Sequence, residues 1–145
     1  MRFNAEELLR SKGMHVTNVR LAALRVFIES SSAMSQQELA SKIPFKTDRV
    51  TIYRTLNIFL EKGILHKVVD TEGETKFALC LHEHHHDEKM IRPEDFHPHF
   101  KCSQCDRIIC LEDIQIPEPQ LPPGYILENY HLSVSGYCAA CAIGR

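Results

Sequence analysis

The chain has 145 residues, of which 43% are hydrophobic and 25% are charged, a balance typical of one ordinary globular domain or two small ones. It contains no apolar run of about 18 residues, which excludes a membrane helix, and its N-terminal segment lacks the apolar region of a secretory signal. We therefore expect a cytoplasmic protein with no membrane partner, in which the six cysteines point to metal binding rather than to a disulfide scaffold.

The formal net charge of −2 is unevenly distributed along the chain. Residues 1–79 contain 12 Lys and Arg against 9 Asp and Glu, a charge of +3. Residues 80–145 contain 5 against 10, a charge of −5. A mildly basic N-terminal part suits a polyanionic partner such as DNA.

Four helices are predicted in the first half. They are Ala5–Lys12, a segment that follows Thr17 as N-cap, Gln36–Ile43 and Arg49–Lys62. Ser35 with Glu38 has the spacing of a capping box, and Thr47 or Asp48 can cap the fourth helix. Its apolar positions are Val50, Ile52, Tyr53, Leu56, Phe59 and Leu60, and Gly63 follows as a C-cap.

Two β-prone runs, ILHKVVD and TKFALC, then surround a short turn that contains Gly73, which predicts a hairpin. Helices closed by a hairpin are the layout of a winged helix-turn-helix. We place this domain at residues 1–81, and the polar, His-rich stretch that follows, 82–97, is predicted to be a hinge or loop.

The last part of the chain, 98–145, alternates in hydrophobicity and predicts a second small domain. Strands are expected at His99–Lys101, Arg107–Leu111 and Ile126–Tyr137, separated by the proline-rich run IQIPEPQLPPG. The predicted fold class is therefore α+β, a winged-helix domain followed by a small α/β domain.

Two CxxC pairs are the most specific signal in the chain. Cys102 with Cys105, and Cys138 with Cys141, supply the four thiolates that a tetrahedral structural zinc prefers. A redox dithiol or a disulfide pair is the alternative. A catalytic zinc is not expected, because four protein ligands leave no position for water.

The fourth helix begins with polar residues and continues with an apolar stripe, as a DNA-recognition helix does. Arg49, Thr51, Tyr53 and Arg54 are the candidates for its DNA-facing side. By periodicity alone, an ordinary solvated helix would explain the same pattern.

Several motifs together resemble the ferric uptake regulator family. They are VTIYRTLNIFLEKGIL, the upstream GMHVTNVRLAALRVF, the His97-Pro-His99-Phe-Lys-Cys102-Ser-Gln-Cys105 segment and the terminal SGYCAACA. The resemblance implies a winged-helix domain, a hinge and a dimerisation domain. It further implies a metal-loaded homodimer that binds an AT-rich palindromic operator in double-stranded DNA and represses metal-uptake genes, with no enzymatic activity and no small-molecule substrate. Tyr53 and Arg54 would contact bases and Arg20 the DNA backbone.

Within this family the chain is most similar to zinc sensors, the zinc uptake regulator subgroup. The positions that supply a histidine and a glutamate in iron sensors correspond to Ala33 and Ala78, which have no donor atoms in their side chains. The ligand positions of zinc sensors correspond to four residues that the resemblance makes the regulatory zinc site: His66, Cys80, His97 and His99. Zinc bound at the hinge would set the angle between the two recognition helices of the dimer.

Several alternatives stay open at this stage. Cys110, Glu112 or the His82–His86 cluster could take part in metal binding, and iron or peroxide sensing is the main alternative within the family. Outside it, His86 and Glu88 followed by Cys102-x-x-Cys105 loosely imitate a zinc deaminase. A zinc-ribbon module that binds protein rather than DNA is the other rival.

Overall fold

The computed structural model describes residues 4–79, 98–111, 114, 117, 119–128, 130 and 132–145. Contacts between Cα atoms divide the chain into two compact units, Met1–His82 and Glu83–Arg145. Over the described residues, the first unit contains four helices and a two-stranded sheet, and the second contains a three-stranded sheet and one short helix. This combination of helices with small, separate sheets is the predicted α+β class.

Four capped helices form most of the first unit. They are α1 (Ala5–Ser11), α2 (Asn18–Ser30), α3 (Gln36–Lys42) and α4 (Arg49–Glu61). Each begins after a polar residue whose side chain accepts a hydrogen bond from a backbone N–H of the first turn: Asn4, Thr17, Ser35 and Asp48. The predicted capping box is present, because Glu38 also accepts from the Ser35 N–H. None of the helices in the described ranges combines the length and the apolar character that a bilayer crossing requires.

One apolar core unites these helices. Its buried members are Ala5, Leu9, Met14, Ala23, Leu24, Phe27, Met34, Leu39, Ile43, Ile52, Leu56, Phe59, Ile64 and Leu65. Within α4, Ile52, Leu56 and Phe59 are at most 1% exposed and follow one another at helical spacing. Because this buried face fixes the rotation of α4 about its axis, the opposite face of the helix is held towards solvent.

A hairpin closes the first unit, as predicted. It consists of β1 (Leu65–Val69) and β2 (Thr75–Leu79), which pair antiparallel. The Oδ1 atom of Asp70 accepts hydrogen bonds from the N–H groups of Glu72 and Glu74, at 2.7 and 3.2 Å, and Gly73 takes the left-handed φ of 81° that the turn requires. The hairpin is joined to the helices by an antiparallel bridge between Met34 and Phe77.

The second unit is built on a small mixed sheet. Its strands are β3 (His99–Cys102), β4 (Ile108–Cys110) and β5 (Ser133–Gly136), in the order β4-β3-β5, and α5 (Ala139–Ala142) follows. β3 pairs antiparallel with β4 and parallel with β5. The parallel pair joins segments that are about 30 residues apart in the chain, which hydrophobic periodicity could not indicate.

The prediction of a long strand over Ile126–Tyr137 is wrong over its first residues. Residues 126–128 are described and are not in a strand, and Ile126 is 89% exposed. β5 covers Ser133–Gly136, the part that has β3 beside it. Alternating apolar residues predict a strand only where a neighbouring strand satisfies the backbone, and the first part of this segment has no such neighbour among the described residues.

Candidate metal centre and nucleic-acid interface

The four cysteines of the two CxxC motifs lie together in the second unit. Cys102 is the last residue of β3, and Cys105 follows in the turn after that strand. Cys138 is the N-cap of α5, and Cys141 lies within this helix. The parallel pairing of β3 with β5 places Cys102 beside Gly136, two residues before Cys138. The sheet therefore unites two motifs that are distant in the chain.

The sulfur positions fit a tetrahedral metal ion. All four Sγ atoms lie within 4.8 Å of one another, and the Sγ atoms of Cys105 and Cys138 are 3.9 Å apart. A tetrahedral ion with metal–sulfur bonds of about 2.3 Å separates its sulfur atoms by about 3.8 Å. The cluster therefore has the dimensions of a four-thiolate metal centre. Four protein ligands complete the shell, so a metal held here is structural rather than catalytic.

Hydrogen bonds make these thiols unequal as acids. The backbone N–H groups of Cys138 and Cys105 lower the pKa of Cys102 to about 6. The Cys138 nitrogen donates to Cys102 Sγ at 3.4 Å. The backbone N–H of Cys141 lowers the pKa of Cys138. The side-chain hydrogen bond with Cys138, together with burial, raises the pKa of Cys141 to about 12. The cluster thus forms its first thiolate readily, whereas its last thiolate requires the charge of a bound cation.

Arg145 links the two arms of this cluster, a feature that the sequence did not indicate. Its guanidinium carbon lies 3.7 Å from the ring centroid of Tyr137, directly before the second CxxC pair. Its Nη2 atom donates to Gln104 Oε1, inside the first pair, at 3.2 Å. A single arginine without a spacing motif carries no sequence signal, so only the fold reveals this contact.

The exposed face of α4 carries most of the predicted DNA-contacting residues. Arg49, Tyr53 and Arg54 are exposed, and Tyr53 retains 56% of its accessible surface. Two residues that were not predicted to contact DNA share this face: Asn57 is exposed, and Val50 is 56% exposed. Of the apolar positions of this helix, Ile52, Leu56 and Phe59 fill the buried face, whereas Val50 and Tyr53 are exposed.

The remaining candidate in the first turn, Thr51, is engaged in capping. Asp48 accepts hydrogen bonds from both the backbone N–H and the hydroxyl of Thr51, each at 2.8 Å. These hydrogen bonds hold the pKa of Asp48 below its usual value. Thr51 therefore stabilises the start of α4, and its hydroxyl proton is directed at Asp48 rather than at solvent.

Arg20 lies beside α4 in the same unit. A groove of about 440 Å³ is lined by Arg20 and Thr17 of the α2 end and by Thr51 and Arg54 of α4. One Arg20 nitrogen donates to the His15 carbonyl at 2.9 Å, which holds the guanidinium at this position. Two arginines along one groove give α4 a positive flank.

One of the residues predicted to bind the regulatory metal, His66, lies in the described part of the first unit. His66 lies on β1, opposite Ala78 of β2. Ala33 and Ala78, which the resemblance relates to ligand positions of iron sensors, are both buried. An alanine side chain has no donor atom, so neither position contributes a metal ligand.

In the second unit, His99 of β3 lies directly opposite Cys110 of β4. A ring nitrogen of His99 and the Sγ atom of Cys110 lie within 4.8 Å of each other. The other residues considered for metal binding lie outside the described part of the chain: Cys80, His82–His86, Glu88, His97 and Glu112. The structure thus unites a histidine and a thiol whose pairing the sequence had left open.

Comparison with known proteins decides the family. Residues 11–123 match the ferric uptake regulator (FUR) family. The chain belongs to this family. It is 27% identical over 144 residues to a zinc uptake regulation protein of Escherichia coli, covering 94% of this chain and 78% of that protein. It is 22% identical over 140 residues to the peroxide-responsive repressor PerR of Staphylococcus epidermidis, covering 92% and 85% of the two chains.

A solved structure described as a zinc uptake regulator complexed with zinc and DNA is also similar. It is 25% identical, covers 94% of this chain and 89% of that chain, and superposes with a TM-score of 0.57. Family membership confirms the resemblance seen in the sequence and makes the chain a metal-responsive transcriptional regulator, not an enzyme. The zinc-deaminase alternative is thereby excluded. The names of these relatives refer to different signals, peroxide in one case and zinc in the other. The names therefore do not decide which metal this chain senses, and that choice must be argued from its ligand residues.

Proposed function

We propose that this chain is a zinc-sensing transcriptional repressor that binds operator DNA as a homodimer and controls metal-uptake genes in the cytoplasm. The observation that carries the proposal is the exposed face of α4, which presents Tyr53, Arg49 and Arg54 on a helix fixed by its own core. The similarity to a zinc uptake regulation protein supports the choice of metal. The proposed partner is an AT-rich palindrome in double-stranded DNA, without a membrane or a small-molecule substrate.

In the proposed complex, α4 enters the major groove. Tyr53 packs on the base edges, and Arg54 and Arg49 donate to bases or phosphates. Arg20 contacts the DNA backbone from the flank of the groove that it shares with Arg54. Thr51 contributes through the capping hydrogen bonds that order the first turn of the helix.

The proposal includes two zinc ions per subunit, one for each of two donor sets. The structural ion is held by the four thiolates of Cys102, Cys105, Cys138 and Cys141, whose spacing suits the soft, tetrahedral preference of zinc. The domain division that we propose is 1–81 for DNA binding, 82–97 for the hinge and 98–145 for dimerisation and structural zinc.

The regulatory ion is assigned to His66, Cys80, His97 and His99, on the resemblance to zinc sensors. Cys110 lies opposite His99 and is a second candidate for the thiolate in this set. One thiolate among imidazoles favours zinc over ferrous iron. Zinc binding then increases the population of the form that binds DNA, and loss of zinc releases the operator.

Iron or peroxide sensing is the second candidate, because PerR is among the similar proteins. The absence of donor atoms in the side chains of Ala33 and Ala78 argues against it, since both are buried alanines. If this candidate is correct, iron or manganese, and not zinc, will restore DNA binding to protein that has lost its labile metal.

The experiment is a graded chelation of the full-length protein, with zinc per subunit and DNA binding measured in parallel. We expect two zinc ions, one of which is removed by mild chelation together with DNA binding and restores binding when it is added back. One tightly held zinc, with DNA binding that responds to iron or manganese, would instead establish the second candidate.

Cobalt(II) in the labile site identifies its ligands, because thiolate ligation produces a charge-transfer absorption. We expect this absorption in the wild type, and its loss in Cys80→Ser if Cys80 is the thiolate. An absorption that survives Cys80→Ser but is lost in Cys110→Ser would assign the thiolate to Cys110. His99→Ala should lose the labile metal and keep the structural one.

A further inference from the structure

Val50 is an apolar side chain that the first unit leaves in water. It lies in the first turn of α4 and is 56% exposed. A β-branched side chain loses rotamer freedom in a helix, and this loss lowers its helix propensity relative to alanine. Burial does not compensate for that cost, because Ile52, Leu56 and Phe59 occupy the face that packs on the core. Among the described residues of this unit, Val50 is neither a member of the apolar core nor one of the partly buried side chains that pack against it.

Val50 does not stand alone on the helix surface. Tyr53 follows at the i+3 position with the same 56% exposure, and Arg54 follows at i+4. Asn57 is exposed on the same face, one turn further along. Thr51, the next residue in the first turn, donates its hydroxyl hydrogen to Asp48. The N-terminal part of this face therefore carries an apolar side chain, Val50, beside the exposed Arg49, and Tyr53 and Arg54 follow one turn later.

Only one group on a base edge in the major groove is apolar, the C5-methyl of thymine. The N-terminal residues of a recognition helix are those that contact base edges, whereas phosphates accept hydrogen bonds that a valine cannot donate. We propose that Val50 is a specificity-determining residue that packs on a thymine methyl in each half-site, beside the base contacted by Tyr53. This inference rests on the proposed DNA-binding function and names a residue and a base that this function alone does not specify.

The test uses DNA enriched from a random duplex library by the zinc-loaded, full-length protein. Each thymine of the enriched sequence is replaced in turn by deoxyuridine, which removes the methyl group and keeps every hydrogen-bonding atom of the base. Affinities are measured for wild type, Val50→Ala and Val69→Ala. Val69 is the matched control, because it is a valine of the same unit with 50% exposure and lies on β1 instead of α4.

We expect at least one thymine per half-site at which uracil weakens wild-type binding about fourfold, the effect of one buried methyl group. Val50→Ala should bind the thymine-containing DNA about fourfold or more weakly and should not respond to uracil at that position. Val69→Ala should respond like the wild type. Equal thermal melting of the three proteins shows that the fold is unchanged.

If Val50→Ala keeps the wild-type response to uracil at every position, the inference is overturned while DNA binding stands. If the zinc-loaded protein enriches no sequence from the library, the proposed function fails, and the inference fails with it. If the Val50 surface binds a protein partner instead of DNA, the library will likewise yield no enriched sequence, which is this second result.

Discussion

The 14 buried apolar residues of the main core all belong to the first unit, where every described helix of more than one turn is found. In the described part of the second unit, the buried residues are Pro98, His99, Cys102 and Ile108. There the large apolar side chains are mostly exposed, among them Tyr125, Ile126, Val134 and Ile143. The first unit can be stabilised by its own core, whereas the described part of the second has few buried apolar side chains and contains the four-cysteine cluster.

This difference has a simple physical origin. A chain segment of about 60 residues buries too small a fraction of its surface to be very stable through apolar contacts alone. A structural metal centre supplies a free energy of about 10–16 kcal/mol in small zinc-binding folds, which replaces a larger core. Metal and core are thus two solutions to the same problem, and substitutions that affect one unit should leave the other intact.

The largest effect is expected from Cys102→Ser, which removes a buried ligand of the cluster. The second unit should lose its metal and its protection from hydrogen exchange in β3 and β4, because about 10 kcal/mol or more of metal-binding energy is lost. The amides of α2 and α4 should stay protected. Zinc content and hydrogen exchange by mass spectrometry measure both results.

Cys110→Ser is the control for this prediction, since Cys110 lies in the same sheet but outside the four-cysteine cluster. It should retain the tightly held zinc. Simultaneous loss of protection in both units of Cys102→Ser would show that the metal stabilises the whole chain, and would contradict the comparison.

Phe59→Ala, in contrast to Cys102→Ser, should destabilise the first unit and leave the second intact. Phe59 is 0% exposed at the centre of the first core, so its truncation should cost about 3–5 kcal/mol of unfolding free energy in that unit. The tightly held zinc should remain bound. Denaturant unfolding followed by helical circular dichroism, together with zinc analysis, checks both parts. Phe45→Ala is the control, because Phe45 is 42% exposed and should cost little.

The pH dependence of metal binding sharpens the description of the second unit. At pH 8 the metal-free Cys102 is ionised, because its pKa is about 6, and Cys141 is protonated, because its pKa is about 12. Zinc binding at pH 8 should therefore release a proton from Cys141 and none from Cys102, fewer than four in total. Below pH 6 Cys102 must also lose a proton, so affinity should fall by a further tenfold per pH unit.

Chelator competition from pH 5 to pH 9 measures this slope, and titration calorimetry in buffers of different ionisation enthalpy counts the protons. Release of four protons at pH 8 would show that Cys102 is an ordinary thiol in the metal-free protein. Arg54 of α4 belongs to the first unit and not to the cysteine cluster, so Arg54→Ala should reproduce the wild-type curve.

The smallest effect is expected from Ser35→Ala, which removes one half of the capping box of α3. The Ser35 hydroxyl accepts from the Glu38 N–H at 3.2 Å, and loss of such a cap costs about 1 kcal/mol. The melting temperature of the first unit should fall by about 4–8 °C, with no change in zinc content. Ser41→Ala, on the same helix, should change it less, because the Ser41 hydroxyl is exposed and only donates to the Glu38 carbonyl.

Much of the fold could be predicted because its signals are local. The N-caps Thr17 and Ser35, the apolar spacing of α4 and the glycine turn of the hairpin each involve residues within a few positions of one another, and each is present in the structure. The prediction of a strand from Ile126 was wrong because a strand signal is not local. A strand needs a neighbouring strand, and that neighbour can lie anywhere in the chain. The short helix that carries Cys141 has too few residues to show a period.

The candidate sites divide in the same way. The CxxC spacing predicts one site for Cys102, Cys105, Cys138 and Cys141, because two thiolates three residues apart turn towards one ion, and the four sulfur atoms lie together in the structure. The assignments of His66, Cys80, His97 and His99 to the regulatory metal stay predictions that depend on the resemblance. The contacts of Arg145 and the opposition of His99 and Cys110 have no local pattern and were found only in the fold.

By itself, then, the sequence determined the helices and most of their caps, the hairpin, the metal-binding chemistry of the cysteines and the family. Tertiary structure decided that Val50 faces water, that β5 lies parallel to β3 and so unites the two CxxC pairs, and that Cys110 lies opposite His99. The physical reason is range. Backbone hydrogen bonds and side-chain spacing within one helix or turn are encoded by neighbouring residues, whereas the exposed face of a helix and the partner of a strand depend on contacts between distant segments.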